Sequence, residues 1–393
     1  MRRILSTFIS VFFLLEAFPL NSAIVSAQSG VMPSLEPDSG SVVCPPGIYS
    51  VAPDDCLPLG PSENLAQMAE SGIPYPILPL PAYTPPADLN DSPYQYFKVT
   101  DAGGPLYSSL DDAAANVPSS KVLPPSDDLY VSYIGPAVQA GQDSFYPLRS
   151  GYWIRADGGR LGKFDPPFQG LLFSSQPQNA FGWVLGDIKT RTEPGLKSPE
   201  TGHTLHRYNV VQIFDAQDAS NLTWDLIAPN EWVDSRQVAR VDPHSAPPSG
   251  VTASRWIEVN LSEQTLAVYD NNRLVFATLV STGVAPFWTR PGIFQIYVKK
   301  PTETMSGATA ADLSDYYYLE DVPWTMYFDE ERALHGAYWH NFFGYARSHG
   351  CVNLSVGDSH WLFDWANDGD NVYVFDPSGN TPVDPSVYGT GAP

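Results

Sequence analysis

Between Arg255 and Phe375 apolar residues recur at the two-residue period of a β-strand. Ile257, Val259 and Leu261 alternate with Trp256, Glu258 and Asn260. That spacing predicts a strand with one buried face. Thr265 to Tyr269 and Leu274 to Val280 flank Asp270-Asn271-Asn272, which reads as a hairpin turn. Ile293 to Val298 is a further strand. Ser355-Val356-Gly357-Asp358 is a helix start, with Ser355 as cap and an acidic residue three positions on. The helix would bury Trp361, Leu362 and Trp365. Asn367-Asp368-Gly369 ends it, and Val372 to Phe375 is a last strand. The pattern is a mainly β domain over 254–376 with one short helix. A fragment from about Pro248 to Pro377 contains all of it and is expected to fold alone.

Upstream, from Tyr94 to Pro243, short β runs alternate with turns. Two stretches look alike. One runs from Phe97-Lys98-Val99 through Leu129–Ile134 to Gly151-Tyr152-Trp153-Ile154-Arg155. The other runs from Asp187–Arg191 through Asn209–Phe214 to Asn230-Glu231-Trp232-Val233. Each closes on a Trp followed by a β-branched residue. The spacing resembles tandem SH3-like β-barrel modules, over 93–180 and 181–248; a generic β-sandwich is the other reading.

The N-terminus reads as an export signal over 1–27. Arg2 and Arg3 precede the apolar run Ile4–Leu15, and Val25-Ser26-Ala27 is a small-residue cleavage pattern. The run is short for a span of about 20 residues, so no integral membrane segment is expected after cleavage. Residues 28–92 are acidic and rich in Pro, Ser and Gly, and read as an extended spacer. The tail, 377–393, reads as loose. The net charge of −22 disfavours nucleic acid as a partner, because phosphates repel an acidic chain. An exported protein of the cell envelope, cell wall or medium is expected.

Three cysteines remain in an oxidising compartment. Cys44 and Cys56 lie close together in a Pro/Gly-rich stretch, and a local disulfide between them would contribute roughly 3 kcal/mol. Cys351 is then unpaired, and its surroundings carry chemistry. His335-Gly336 is followed, fourteen positions after His335, by His349 within Arg347-Ser348-His349-Gly350-Cys351-Val352-Asn353. A thiol attacks a carbonyl as its thiolate. An imidazole can take the proton and return it to a leaving amine. Gly350 removes bulk beside the thiol, so loop amides can approach an oxyanion.

His-Gly with a correctly spaced Ser-His-Gly-Cys resembles the signature of the L,D-transpeptidase (YkuD-type) catalytic domain. Trp256–Leu261, Gln264-Thr265-Leu266 and Ser281-Thr282-Gly283 are similar to its opening hairpin. Thr289-Arg290-Pro291-Gly292 resembles its Thr-Pro-x-Gly turn with the proline one place late. The resemblance implies a β-sandwich whose short helix follows the catalytic loop. It implies Cys351 as nucleophile, His335 as proton donor and acceptor, and His349 as loop support. The substrate would be a peptidoglycan stem peptide, contacted by Gly336, Arg347, Ser348 and Asn353. No cofactor is implied, and carbapenem β-lactams are expected inhibitors.

Each residue also has a plainer reading. A lone Cys is usually a small buried hydrophobe, and a lone His, such as His340 or His360, a hydrogen-bonded structural group. The spacing of His335, His340, His349 and Cys351 matches no common zinc pattern. The acidic residues from Asp312 to Glu331 read as a solvated loop. The competing functions are a wall-cutting cysteine peptidase or carboxypeptidase, and a wall-binding protein with an inert catalytic domain.

Overall fold

A computed structural model describes residues 65, 68–70, 72–74, 77–162, 168–308, 310 and 312–388. The expected signal and the Cys44–Cys56 pair lie outside them. Two sheets form the frame around the loop that leads to Cys351. The first runs, in spatial order, Ala82–Tyr83, Leu171–Phe173, Arg273–Leu279, Thr265–Asp270, Trp256–Asn260, Asn371–Phe375 and Gly292–Gln295. The second runs Val352–Leu354, Arg332–Gly336, Tyr317–Asp329, Asp128–Tyr133, Gln95–Val99 and Gly159–Leu161, with Val298–Gly307 also paired to Tyr317–Asp329. Ile257, Val259, Leu266, Val268 and Phe276 of the first sheet meet Met326, Phe328, Leu334, Val352 and Leu354 of the second. That layer makes a two-sheet sandwich.

The local signals fold as their chemistry dictates. Asn271 and Asn272 both adopt positive φ, 50° and 60°, so Asp270 and Arg273 close a two-residue hairpin. Ser355 caps the helix Val356–Trp365, its hydroxyl accepting from the Asp358 N–H at 3.2 Å. Leu362 is fully buried beneath that helix, whereas Trp361 and Trp365 are half-buried. The expected strand Ile293–Val298 is divided: Gly292–Gln295 stays in the first sheet and Val298–Gly307 crosses to the second.

The strand Trp256–Asn260 is not half-buried as its alternation suggested. Its second face packs on the upstream β segment, where Trp256 and Tyr269 join Phe181, Trp183, Ala239 and Val241. The Trp256 and Tyr269 rings stack at 4.3 Å. Glu258, on the same face, lies 3.3 Å from His244. A strand covered on both sides loses its polar face, and the alternation then misleads.

The two upstream β segments share one strand order, but not through the strands that looked alike: Ile188–Arg191, matched in sequence with Phe97-Lys98-Val99, lies in a separate sheet with Glu200–Leu205 and Glu231–Asp234. In the first, Gln95–Val99 lies between Asp128–Tyr133 and Gly159–Leu161. In the second, Ala180–Val184 lies between Val210–Ile213 and Val238–Val241. Each closes with a strand, a 3-10 turn and a strand: Trp153–Arg155, Ala156–Gly158 and Gly159–Leu161, then Glu231–Asp234, Ser235–Gln237 and Val238–Val241.

Several expected boundaries move. Leu171–Phe173, placed in the first module, is a strand of the catalytic sheet. The reason is a chain of polar contacts: it pairs with Arg273–Leu279, and the Gly170 N–H donates to Asp358 at 2.9 Å. The spacer is not wholly extended either, since Ala82–Tyr83 pairs with Leu171–Phe173 and Met68 and Ile73 pack with Trp224 and Trp232. The tail is not loose through Tyr388, which is buried and accepts from Arg332 at 2.7 Å through its carbonyl. The acidic run is only partly a solvated loop: Asp312, Glu330 and Glu331 are exposed. Glu320 and Asp329 are buried, and Asp329 binds both Arg290 and Arg332.

The first β segment is continuous with the catalytic sheet. Tyr317, Tyr318 and Leu319 pair in parallel with Asp128, Leu129 and Tyr130. The 248–377 fragment lacks strands that pair with its own sheets in the full chain, which counts against the expectation that it stands alone.

Candidate active site

The strand Arg332–Gly336 pairs in parallel with Val352–Leu354, setting His335 opposite Asn353 and Leu334 opposite Val352. Cys351 sits just before this pair. Its sulfur accepts the Ala333 N–H at 3.4 Å and lies 3.8 Å from the Glu331 carbonyl, to which the thiol donates. His335 is 2% exposed. Its Nδ1 is 3.4 Å from the Gly336 carbonyl and its ring stacks on Trp339 at 5.7 Å. Thus the segments that were fourteen residues apart in sequence converge on one small cavity of about 60 Å³, lined among others by His335, Ser348, His349, Cys351 and Asn353.

Short polar residues fix the loop before Cys351. The Ser348 hydroxyl donates to the Cys351 carbonyl at 2.5 Å and accepts the Gly350 N–H at 3.1 Å. The Thr289 hydroxyl donates to the Gly350 carbonyl at 2.8 Å and accepts the Gly283 N–H at 2.9 Å. Gly350 has φ +123°, a conformation that an L side chain rarely adopts. With its N–H held by Ser348, Gly350 supplies a backbone shape. The N–H groups of His349 and Cys351 have no hydrogen-bond partner among the described residues. His349 lies between Phe287, at 4.8 Å, and Tyr317, at 5.1 Å.

Burial sets the protonation of the resting pair. It lowers the His335 imidazole to about 4 and raises the Cys351 thiol to about 11. The Ala333 N–H and the Arg332 charge pull the thiol part of the way back, and Glu331 opposes them. Burial lowers His349 as well, against the raising influence of Asp315 and Asp128. The resting site is a neutral thiol beside a neutral imidazole.

Not every expected contact faces the cavity. Gly336, expected to touch substrate, is buried away from it. A Cβ there would stand 2.5 Å from the Ser359 hydroxyl and 3.1 Å from Pro323, so the glycine is needed for close packing on the helix. Asn353 lines the cavity and also holds His340 at 3.1 Å. Arg347 lines it with a largely exposed side chain. Asp128, Met305, Tyr317, Leu319 and Trp339 complete the lining and carried no motif. Asp128 comes from the first β segment, and nothing local in the sequence ties it to Cys351.

Residues 254–374 match the family model of the L,D-transpeptidase (YkuD) catalytic domain. Over this segment the chain is similar to L,D-transpeptidase catalytic domains. Among solved structures, the chain is similar to an L,D-transpeptidase from Stackebrandtia nassauensis at 30% identity and a TM-score of 0.27, covering 34% of this chain and 60% of that one. It is similar to the catalytic domain of the E. faecium L,D-transpeptidase at 25% identity and a TM-score of 0.29, covering 32% of this chain and 100% of that one. The same E. faecium domain acylated by ertapenem matches at 26% identity and a TM-score of 0.29, over 32% and 100%. No curated protein matches the chain. The matched segment spans both strands of the candidate site, while Asp128 lies outside it.

Proposed function

We propose that the protein is an exported peptidoglycan L,D-transpeptidase that forms cross-links through a thioester on Cys351. One observation carries the reading: Cys351, immediately before the strand Val352–Leu354, and His335, on the strand paired to it, line one cavity and both lie within the matched segment. In the resting site the thiol donates to the Glu331 carbonyl, and it must leave that acceptor to give its proton to His335. The His335 imidazole, kept neutral by burial, is in the form that a general base requires. The sulfur attacks the carbonyl of the third residue of a donor stem peptide. The oxyanion meets the N–H groups of His349 and Cys351. Collapse breaks the amide bond, and His335 returns the proton to the departing D-amino acid. An acceptor amine then attacks the thioester carbonyl, its proton passing through His335 to the sulfur as the carbon–sulfur bond breaks, which forms a cross-link and restores Cys351; water in place of the amine completes a carboxypeptidase reaction. His349 supports the loop, and Arg347, Ser348 and Asn353 contact substrate. The two upstream β segments are SH3-like modules that hold the domain at the wall.

The test is to incubate the full chain with a carbapenem and with a soluble tetrapeptide stem. An adduct at Cys351, absent from Cys351→Ala, and release of the terminal D-amino acid by the wild type alone are expected. An adduct on another residue, or peptide turnover that survives Cys351→Ala, overturns the reading.

A further inference from the structure

The first β segment puts a carboxylate into the catalytic cavity. Asp128 opens the strand Asp128–Tyr133 and stands opposite Tyr317 in the parallel pair that joins the segment to the catalytic sheet. Its backbone is fixed on both sides. The Asp128 N–H donates to the Ser126 hydroxyl at 3.1 Å, and that hydroxyl donates across the junction to the Tyr316 carbonyl. The carboxylate is half-buried and lines the cavity with His335, Cys351, Met305, Tyr317 and Trp339. Its side chain has no hydrogen-bond or ion-pair partner among the described residues.

Arg347 lines the same cavity and is likewise without a side-chain partner among the described residues. The two opposite charges do not approach within ion-pair distance of each other. A carboxylate taken partly out of water without a partner is costly. Burial accordingly raises the Asp128 carboxyl, with Arg347, then Lys98 and His349, offsetting part of it from a distance. A ligand that brings an ammonium group to Asp128 removes that cost and gains a charge-assisted hydrogen bond. A ligand that also carries a carboxylate satisfies Arg347. A neutral donor at Asp128 would give a weaker hydrogen bond without the charge, and an anionic group would be repelled.

We infer that Asp128 is a substrate-binding residue that recognises the side-chain ammonium of the stem peptide's diamino acid, with Arg347 taking an adjacent carboxylate, so that the preferred ligand is a zwitterionic side chain. The inference rests on the proposed transpeptidase reading and deepens it. It also gives the first β segment a part in specificity, because the catalytic domain alone lacks the anionic half of the pocket.

The test uses the full chain and soluble tetrapeptide stems whose third residue carries a free amine and carboxylate, an acetylated amine with free carboxylate, or a free amine with amidated carboxylate. Wild type is expected to lose about tenfold or more in kcat/KM on acetylation, equivalent to one charge-assisted hydrogen bond. In Asp128→Asn that loss should shrink to about threefold or less, and in Asp128→Glu most of it should remain. Each value is a ratio of rates on one preparation, so a reduced folded fraction cancels. The wild-type comparison needs no variant at all. Wild type that is indifferent to acetylation, or Asp128→Asn with the wild-type ratio, overturns the inference while turnover and carbapenem acylation of Cys351 leave the proposed function standing. A wild-type chain inert to every stem and to the carbapenem overturns the transpeptidase reading, and the inference with it.

Discussion

Glu320 accepts the backbone N–H of Ser132 at 2.9 Å in a fully buried contact between positions 188 residues apart in sequence. Its other oxygen takes the Tyr318 hydroxyl at 2.8 Å. Beside this contact Tyr96 stacks on Tyr338 at 3.5 Å, and the Tyr338 hydroxyl donates to the Glu320 carbonyl at 2.7 Å. The first β segment is thereby built into the wall of the catalytic cleft. Glu320→Ala should lower stability by about 1–3 kcal/mol, because it orphans a buried donor. The 248–377 fragment, which also loses the Gly170 contact to Asp358, should fail to unfold cooperatively. Urea unfolding of full chain, variant and fragment checks both statements. A fragment with the full chain's midpoint would show that the interface contributes nothing to folding.

On the proposed mechanism, the pH dependence of Cys351 acylation follows from the burial of His335. Only the neutral imidazole can accept the thiol proton. Its folded pKa of about 4 lies below the ordinary value, so the base form persists on acidification until pH nears 4. The thiol, raised to about 11, remains protonated across the same range. Acylation by a carbapenem should therefore be nearly flat from about pH 5 to 10 and half lost near 4. Stopped-flow acylation, with tryptophan fluorescence as a check on folding, measures it. A half-loss near 6.5 would mean that burial does not control this imidazole.

How much of this was readable in the sequence depends on the range of the interaction. The Asn271-Asn272 turn, the Ser355 cap and the His335 to Cys351 block are local, and their chemistry is written in adjacent residues. Asp128 was invisible because a single acidic residue at the start of a β run has many fates, and its place beside Cys351 is set by pairing with Tyr317. The second buried face of Trp256–Asn260 was hidden for the same reason. Phe181 and Trp183, which cover it, lie some seventy residues upstream. Gly336 misled in the opposite sense: the motif marked it as a substrate contact, whereas Ser359 and Pro323 leave no room for a side chain.

The tail should matter to the nucleophile. Arg332 is buried, donates to Asp329 at 3.2 Å and to the Tyr388 carbonyl at 2.7 Å, and backs the catalytic loop at Gly350, where a Cβ would lie 3.4 Å from its Nε. Its charge lowers the Cys351 thiol. Truncation after Asp376 removes the carbonyl acceptor and should cost about 1–3 kcal/mol while slowing acylation. Tyr388→Ala keeps that carbonyl and should lose less of both. Melting curves and acylation rates decide it. A truncated chain equal to the full one would mean that Asp329 alone holds Arg332.

The last prediction separates His335 from His349, both of which line the cavity. His335 is on the strand paired to the one that follows Cys351, is almost wholly buried, and is held neutral. Its ring has one weak polar contact and one stacking partner, so its loss removes proton transfer and leaves a small buried cavity. His335→Ala should abolish acylation while its melting temperature stays within a few degrees of wild type. His349 is on the loop itself and packs between Phe287 and Tyr317. Ring contacts of this kind contribute about 0.5–1.5 kcal/mol each. Their loss would free the backbone that aims the His349 and Cys351 N–H groups. His349→Ala should therefore lower the melting temperature and slow acylation without ending it, and His349→Phe should restore stability better than it restores rate. If instead His335→Ala acylates at near the wild-type rate, while His349→Ala is fully folded and inert, then the loop histidine is the base and His335 is a packing residue.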